Sequence, residues 1–389
     1  MKHTRVFVFG VVLSGLLLAG YAIPANVHHT QAGDRLAQHA TNAPVGDAYT
    51  QAYKNEYNQI LREETVNVST AKYKKNGPYV VGYVAQGPIN GWGKMFDVAV
   101  NYELKHSGQL KKLLYINGNG NASKQISGME TLTTQHPDII LLTPLSKAAL
   151  AAPVQRAVAA GIPVVTGGGS VASSAVTAEA GRNLPQIAYQ SAQRLAQMLH
   201  GTGNVVMFDG IAGSDSAEAW KAAAHAAFET YPGIKIVAEQ YANWSVAQAT
   251  SEMQAILSAH PKIDGVWSGG SEMSIGAIEA FASAHKKMPV FGTTNPLNGF
   301  LRLAKQYHLR FYAAPYPPAA MAKVEVDIAL KILHGQTVKR YTDVIKVVPD
   351  VGGYTQQQIA SHYRSDLNDD FVPPAVVPTS VLLKAGFRR

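Results

Sequence analysis

Residues 133–142 read TTQHPDIILL and residues 257–266 read LSAHPKIDGV. Each stretch holds a His-Pro step, then an acid, then an apolar run. Each is followed by a loop, a helix-like segment and a strand-like segment opening on Pro-Val, at Pro163 and Pro289. A solenoid array would repeat every ~20 to 50 residues along the chain. One long-range echo marks duplication of a whole structural half instead.

Outward from that echo, short apolar strands alternate with amphipathic helices. In the first half YVVGYV (79–84), KLLYI (112–116), IILL (139–142) and PVVT (163–166) alternate with helices from about Lys94, from Ser123 and after Pro153. In the second half NVVMF (204–208), IKIVAEQ (234–240), GVWS (265–268) and PVFG (289–292) alternate with helices from Ser216, Ser245 and Ser271. Strand–helix alternation predicts parallel sheets with right-handed crossovers, hence an α/β protein of two facing domains. After Gly292, LRFYAAP, the helix-like AMAKVEVDIALKILHG and DVIKVV read as crossings back between the two domains, followed by a Pro-rich tail.

The chain has 389 residues, 47% of them hydrophobic and 15% charged, a globular composition large enough for one or two cores. At the N-terminus Lys2 and Arg5 precede the apolar run VFVFGVVLSGLLLAGYAI and then PANVHHT, the pattern of a cleavable secretory leader over residues 1–25. The alternative is a membrane anchor, since a spanning helix needs about 17 to 20 apolar residues. Small residues after the run favour cleavage, near Ala22 or Ala25, and a soluble periplasmic product. With no cysteine, disulfides, thiolate chemistry and lipoprotein anchoring are excluded. The formal charge of +8 becomes +6 once Lys2 and Arg5 leave with the leader, and its scatter excludes nucleic acid as a partner. Residues 26–77 are polar, with one helical pattern, DAYTQAYKNEYNQILREE, whose Tyr53, Tyr57 and Ile60 share a face.

The catalytic and cofactor motifs fail one by one. VVTGGGSV (164–171) lacks the spacing and the lysine of a phosphate loop, and NGNGNAS (117–123) has only Gly118 and Gly120 before Ser123. Ser170, Ser214, Ser268 and Ser271 all miss the nucleophile-elbow spacing. Thirteen histidines contain no metal-ligand pattern, so neither metal nor cofactor is expected. What remains is a set of strand-end loops rich in small and amide residues: QGPINGWG, TGGGS, GIAGSDS, SGGSEM and GTTNPLN. In doubly wound folds the ligand lies outside the carboxyl ends of the strands. Binding fits these loops better than catalysis.

IPVVT, GIAGSDSA, SAHPKIDGVWSGGSEMSIGAIEA and PVFGTTN together resemble the type I periplasmic solute-binding proteins of bacterial ABC importers, particularly the ribose- and galactose-binding group. The resemblance runs over about residues 78 to 350. It implies two Rossmann-like three-layer domains joined by three hinge strands, a ligand clamped in the cleft, and hand-over to a membrane permease by a non-enzymatic monomer. The first lobe would comprise 78–182 with about 317–336, the second 183–316 with about 337–352, and 353–389 would be a tail.

The same resemblance places the ligand contacts. Gln86, Asn90 and Trp92 fall on the first contact loop, and Thr143 follows the strand IILL. Gly168 and Gly169 stand where sugar binders carry an Asp-Arg pair. Trp220 replaces an arginine, Gly270 an asparagine beside Ser271, Thr294 an aspartate beside Asn295, and Tyr316 the hinge glutamine. Trp244 keeps a family aromatic. Charged and amide donors have thus been exchanged for glycines and rings, and the box of Trp92, Trp220, Trp244 and Tyr316 would favour aromatic, apolar or quaternary-amine ligands. A hydroxyl-rich sugar would leave buried polar groups costing about 1 to 3 kcal/mol each. The glycines at 167–169 would form a lip where a bulky ligand ring approaches the backbone. Trp267, inside a strand, reads as core. A sensor that presents its solute to a histidine kinase or chemoreceptor would use the same fold.

Overall fold

The computed structural model describes residues 47–348, 353–374 and 376–389. The expected leader and residues 26–46 lie outside the described residues. Two six-stranded sheets form the centres of two lobes. In the first, β2 (Tyr79–Ala85), β3 (Leu110–Asn117), β4 (Ile139–Leu142), β5 (Val164–Gly167), β6 (Ala178–Gly181) and β13 (Tyr341–Asp343) lie in the order 13-6-5-4-2-3, every pair parallel. In the second, β7 (Thr202–Asp209), β8 (Gly233–Tyr241), β9 (Gly265–Ser268), β10 (Val290–Thr294) and β11 (Phe311–Ala314) are parallel, and the short β14 (Tyr354–Thr355) closes the edge antiparallel to β11.

The central strands β4, β5 and β9 are buried along their whole length, as parallel strands covered by helices on both faces must be. Helices α2 (Gly91–His106), α3 (Ala122–Gln135), α4 (Ala151–Ala159) and α10 (Pro318–Leu333) cover the first sheet. Helices α5 (Leu184–Met198), α6 (Asp215–Glu229), α7 (Val246–Ala259), α8 (Ser271–Ser283) and α9 (Asn298–Gln306) cover the second. The starts read from sequence fall within about a turn of the observed ones because capping side chains fix them. Asn90, Asn121, Asn183, Ser214 and Ser245 each accept a hydrogen bond from a backbone N–H in the first turn.

The sequence echo has a structural meaning. Asp138 Oδ2 accepts from Val80 N at 2.8 Å and Asp138 N donates to Val80 O at 2.8 Å, pinning the middle strand to its neighbour. Asp264 makes the same reciprocal pair with Asn204, at 2.8 Å in both directions. Each acid locks the register of a lobe's first strand, which is why the motif recurs.

The chain crosses between lobes after β6, after β11 and after β13. Arg182 ties the three crossings together: its guanidinium donates to Pro315 O at 3.2 Å and lies 3.4 Å from the Asp343 carboxylate, both ionic side chains being buried. The strand at 341–343 pairs with Glu179–Gly181 of the first lobe, not with the second lobe to which 337–352 was expected to belong. Tyr354–Thr355 pairs in the second sheet and is not part of a detached tail.

Both terminal segments straddle the lobes. Helix α1 (Asp47–Glu63) stacks Tyr49 on His225 and Tyr53 on Tyr189 of the second lobe, while β1 (Asn67–Val68) pairs with β12 (Val338–Lys339) beside the first. At the other end Asn298 of α9 donates to Leu367 O, and Lys94 of α2 donates to Gly386 O. Among the described residues no helix is long and apolar enough to cross a membrane.

Candidate functional site

The strand-end loops of the two sheets face each other across a cleft that encloses about 640 Å³, part of it open to solvent. The first lobe contributes Gln86, Asn90, Trp92, Gly168 and Gly169 to the lining. The second contributes Trp220, Trp244, Gly270 and Asn295, and Tyr316 enters from the crossing after β11. Ten of the thirteen residues expected from sequence therefore converge on one pocket.

The four rings form one continuous wall. Trp92 and Tyr316 stack with centroids 5.2 Å apart and planes within 10°. Trp220 meets Tyr316 edge-on at 5.5 Å and Trp244 at 6.4 Å. Hydrogen bonds orient the rings: Trp92 Nε1 donates to Tyr316 O at 2.9 Å, Trp244 Nε1 donates to Gly269 O at 2.6 Å, and the Tyr316 hydroxyl donates to Gly168 O. Burial pushes the Tyr316 hydroxyl far above the usual phenol range, so it stays protonated as a donor. Trp244 has φ +52°, a left-handed conformation that disfavours a bulky side chain, and its indole bond holds it there. Asn90 spends its Oδ1 on Gly93 N at 2.9 Å, which leaves its amide group as a donor.

Three expected contacts lie beneath the pocket surface. Thr143 is buried with its Oγ1 3.2 Å from the Tyr83 hydroxyl and its carbonyl accepting from Gln125 Nε2. Ser271 Oγ donates to Asn295 O at 2.7 Å and accepts from Leu297 N at 2.8 Å, which shapes the loop and not the lining. Thr294 is fully buried at the end of β10. In each case the strand or helix geometry turns the side chain away from the cleft. Trp267 is core, as expected, fully buried with Nε1 donating to Ser191 Oγ at 2.9 Å.

The glycine lip has a different purpose from the one expected. A Cβ on Gly168, whose φ is +69°, would stand 2.4 Å from the Trp92 ring, and one on Gly167 would stand 2.7 Å from the Phe96 ring. The bulky ring that approaches this backbone is the protein's own Trp92.

Sequence reasoning missed two acids. Glu272, in the first turn of α8, lines the pocket at 4% exposure, and neither of its carboxylate oxygens has a hydrogen-bond partner among the described residues. Burial raises its pKa to about 7, its own backbone N–H opposing the rise and the Asp370 carboxylate of the C-terminal segment adding to it. Asp215, at the start of α6, lines the pocket and accepts from the backbone N of Lys147 on the opposite lobe, so it bridges the cleft lips. Both lay in quoted loops, GIAGSDS and SGGSEM, but a first-turn acid is an ordinary helix-dipole feature and gives no sequence signal of its own. Among the described residues no group of three metal-ligating side chains comes together.

The periplasmic binding protein domain family matches residues 81–337. The ribose import binding protein RbsB of Bacillus subtilis is 26% identical over 229 residues, 59% of this chain and 74% of that protein. A xylitol-binding protein of Mycolicibacterium smegmatis is 27% identical over 46% of this chain, and a D-apiose import binding protein of Actinobacillus succinogenes 29% over 42%. The matches span only about half of those two relatives, 52% and 53%. Among solved structures, an ABC transporter solute binding protein from Bacillus halodurans with bound myo-inositol superposes with a TM-score of 0.67 at 18% identity, over 74% of this chain and 98% of that one. Repeated α/β lobes, a cleft between the carboxyl ends of two parallel sheets and the family match agree: the chain belongs to the periplasmic binding protein family.

Proposed function

We propose that the protein is the exported solute receptor of an ABC importer. It captures a small molecule between its lobes by hinge closure and delivers it to a membrane permease without making or breaking a covalent bond. The observation that carries this reading is the ring wall, to which both lobes and the Tyr316 crossing contribute. A solute bridging these surfaces favours the closed arrangement of the lobes, which is the signal a permease can read.

The relatives' names point to ribose, xylitol and apiose, so a polyol-like solute is the family expectation. Here the lining favours a solute with at least one flat or apolar face, since ring stacking contributes about 0.5 to 1.5 kcal/mol per pair. A thermal-shift screen of the unliganded protein against sugars, polyols, aromatic acids, nucleosides and quaternary amines tests the reading. A ligand at 100 times its dissociation constant adds about 2.7 kcal/mol of stability. We expect a compound with a stackable face to raise the melting midpoint. A screen in which no small molecule raises it, extended to a metabolite extract, would remove the receptor reading.

A further inference from the structure

The pocket has an unbalanced charge. Its lining includes the carboxyl groups of Glu272 and Asp215 and no lysine, arginine or histidine, in a chain whose formal charge is +8. Asp215 is already engaged by Lys147 N across the cleft. Glu272 meets no donor from any other residue: beyond its own backbone N–H both oxygens are buried without a partner, and so is Asn295 Oδ1, another acceptor in the lining. A Cβ placed on Gly270 would stand 3.1 Å from Glu272 Oε2 and 2.8 Å from Trp244 Cδ1, so carboxylate and indole lie against the same glycine.

Two buried acceptors call for donors, and a buried carboxylate with no counter-charge is costly to ionise. A hydroxyl group would satisfy one lone pair and leave the charge uncompensated. A positively charged nitrogen supplies the counter-charge, and the adjoining rings attract it through their faces. Resting on the solute-binding reading above, we propose that the pocket is selective for a solute bearing an ammonium group, held by Glu272 beside Trp244 with Asn295 Oδ1 as a second acceptor.

The titration of Glu272 supports this placement. With its carboxyl near pH 7 in the empty pocket, it is largely protonated below that pH. An arriving cation favours the ionised form, so binding expels a proton. The other charged groups facing the site are Asp370 of the C-terminal segment and, across the pocket, Asp215, whose carboxyl burial raises while Lys147 of the opposite lobe lowers it and Glu56 and Glu218 raise it further.

The test uses probe pairs that differ in charge and little else: choline with 3,3-dimethyl-1-butanol, benzylamine with benzyl alcohol, and glucosamine with glucose. Binding to the unliganded protein is measured by calorimetry at pH 5, 6, 7 and 8. The expected result is that the charged member of at least one pair binds while its neutral partner does not. Its affinity should drop about tenfold per unit as pH falls below 7 and level off above. Glu272→Gln should weaken the charged probe about thirtyfold or more and remove the pH dependence, with the melting midpoint checking that the variant folds. Equal or better binding of the neutral members, or of a neutral sugar alone, overturns the charge proposal and leaves the receptor reading standing. Pairwise selectivity that survives Glu272→Gln with its pH dependence intact overturns the role of Glu272. If no probe and no metabolite binds, the receptor reading itself fails and the charge proposal with it.

Discussion

Asp138 and Asp264 sit at matching places in the two lobes and make the same reciprocal bonds to the first strand of each sheet. The opposite ends of those sheets have diverged. The first lobe presents amides and glycines around Trp92, whereas the second presents two carboxyl groups around Trp220 and Trp244. The repeat was kept where it fixes strand register and released where it faces the cleft. The scaffold positions are constrained by backbone hydrogen bonds that any parallel sheet must make, and the loop positions only by what lies between the lobes.

The difference can be broken most forcefully from the first lobe. Gly168→Asp places a side chain in left-handed backbone and drives it into Trp92, so it should destabilise the protein by about 2 to 4 kcal/mol and weaken ligand binding, both read from melting curves with and without ligand. A melting midpoint and affinity equal to the wild type's would show that the Trp92 contact does not hold this face.

Next in size is a change in the second lobe. Because the folded-state pKa of Glu272 is raised, from 4.5 to about 7, the folded chain holds a proton that the unfolded chain releases. That contribution is full below about pH 4.5 and is lost as pH rises through 7. Glu272→Gln should therefore stabilise the unliganded protein by about 1 to 3 kcal/mol at pH 8 relative to wild type, with most of that gain gone by pH 5. Denaturant titrations at the two pH values measure it, and a gain equal at both would place the carboxyl in solvent. The smallest effect returns to the first lobe: Asn90→Ala removes the cap of α2 and should cost about 1 kcal/mol at every pH. A pH-dependent loss there would mean that the two faces are electrostatically alike.

The architecture was legible because strand–helix alternation and the His-Pro-acid echo are properties of backbone pairing, which sequence records directly. The returns were not. Tyr341–Asp343 and Tyr354–Thr355 are three and two residues long, too short to show a period, and their partners are set by where the crossings lead. In the site, the rings were found through the family resemblance, which puts Trp92, Trp220 and Trp244 at positions where relatives meet their ligand. Thr143, Ser271 and Thr294 were misplaced by one turn of the side chain, since a residue at a strand end or helix start points either into the cleft or under it. Glu272 was invisible for a different reason: only the fold shows that this first-turn acid has lost its water.

Three of the chain's four tryptophans line the pocket, and the fourth, Trp267, is sealed in the core. Trp220 and Trp244 lie 6.4 Å apart, nearly perpendicular, in one lobe, while Trp92 rides on the other. The protein thus carries its own optical gauge. Three of the four tryptophans that give the emission and much of the near-ultraviolet dichroism stand in the walls that a solute touches, with Trp267 as a constant background, so occupancy can be followed on the unlabelled protein.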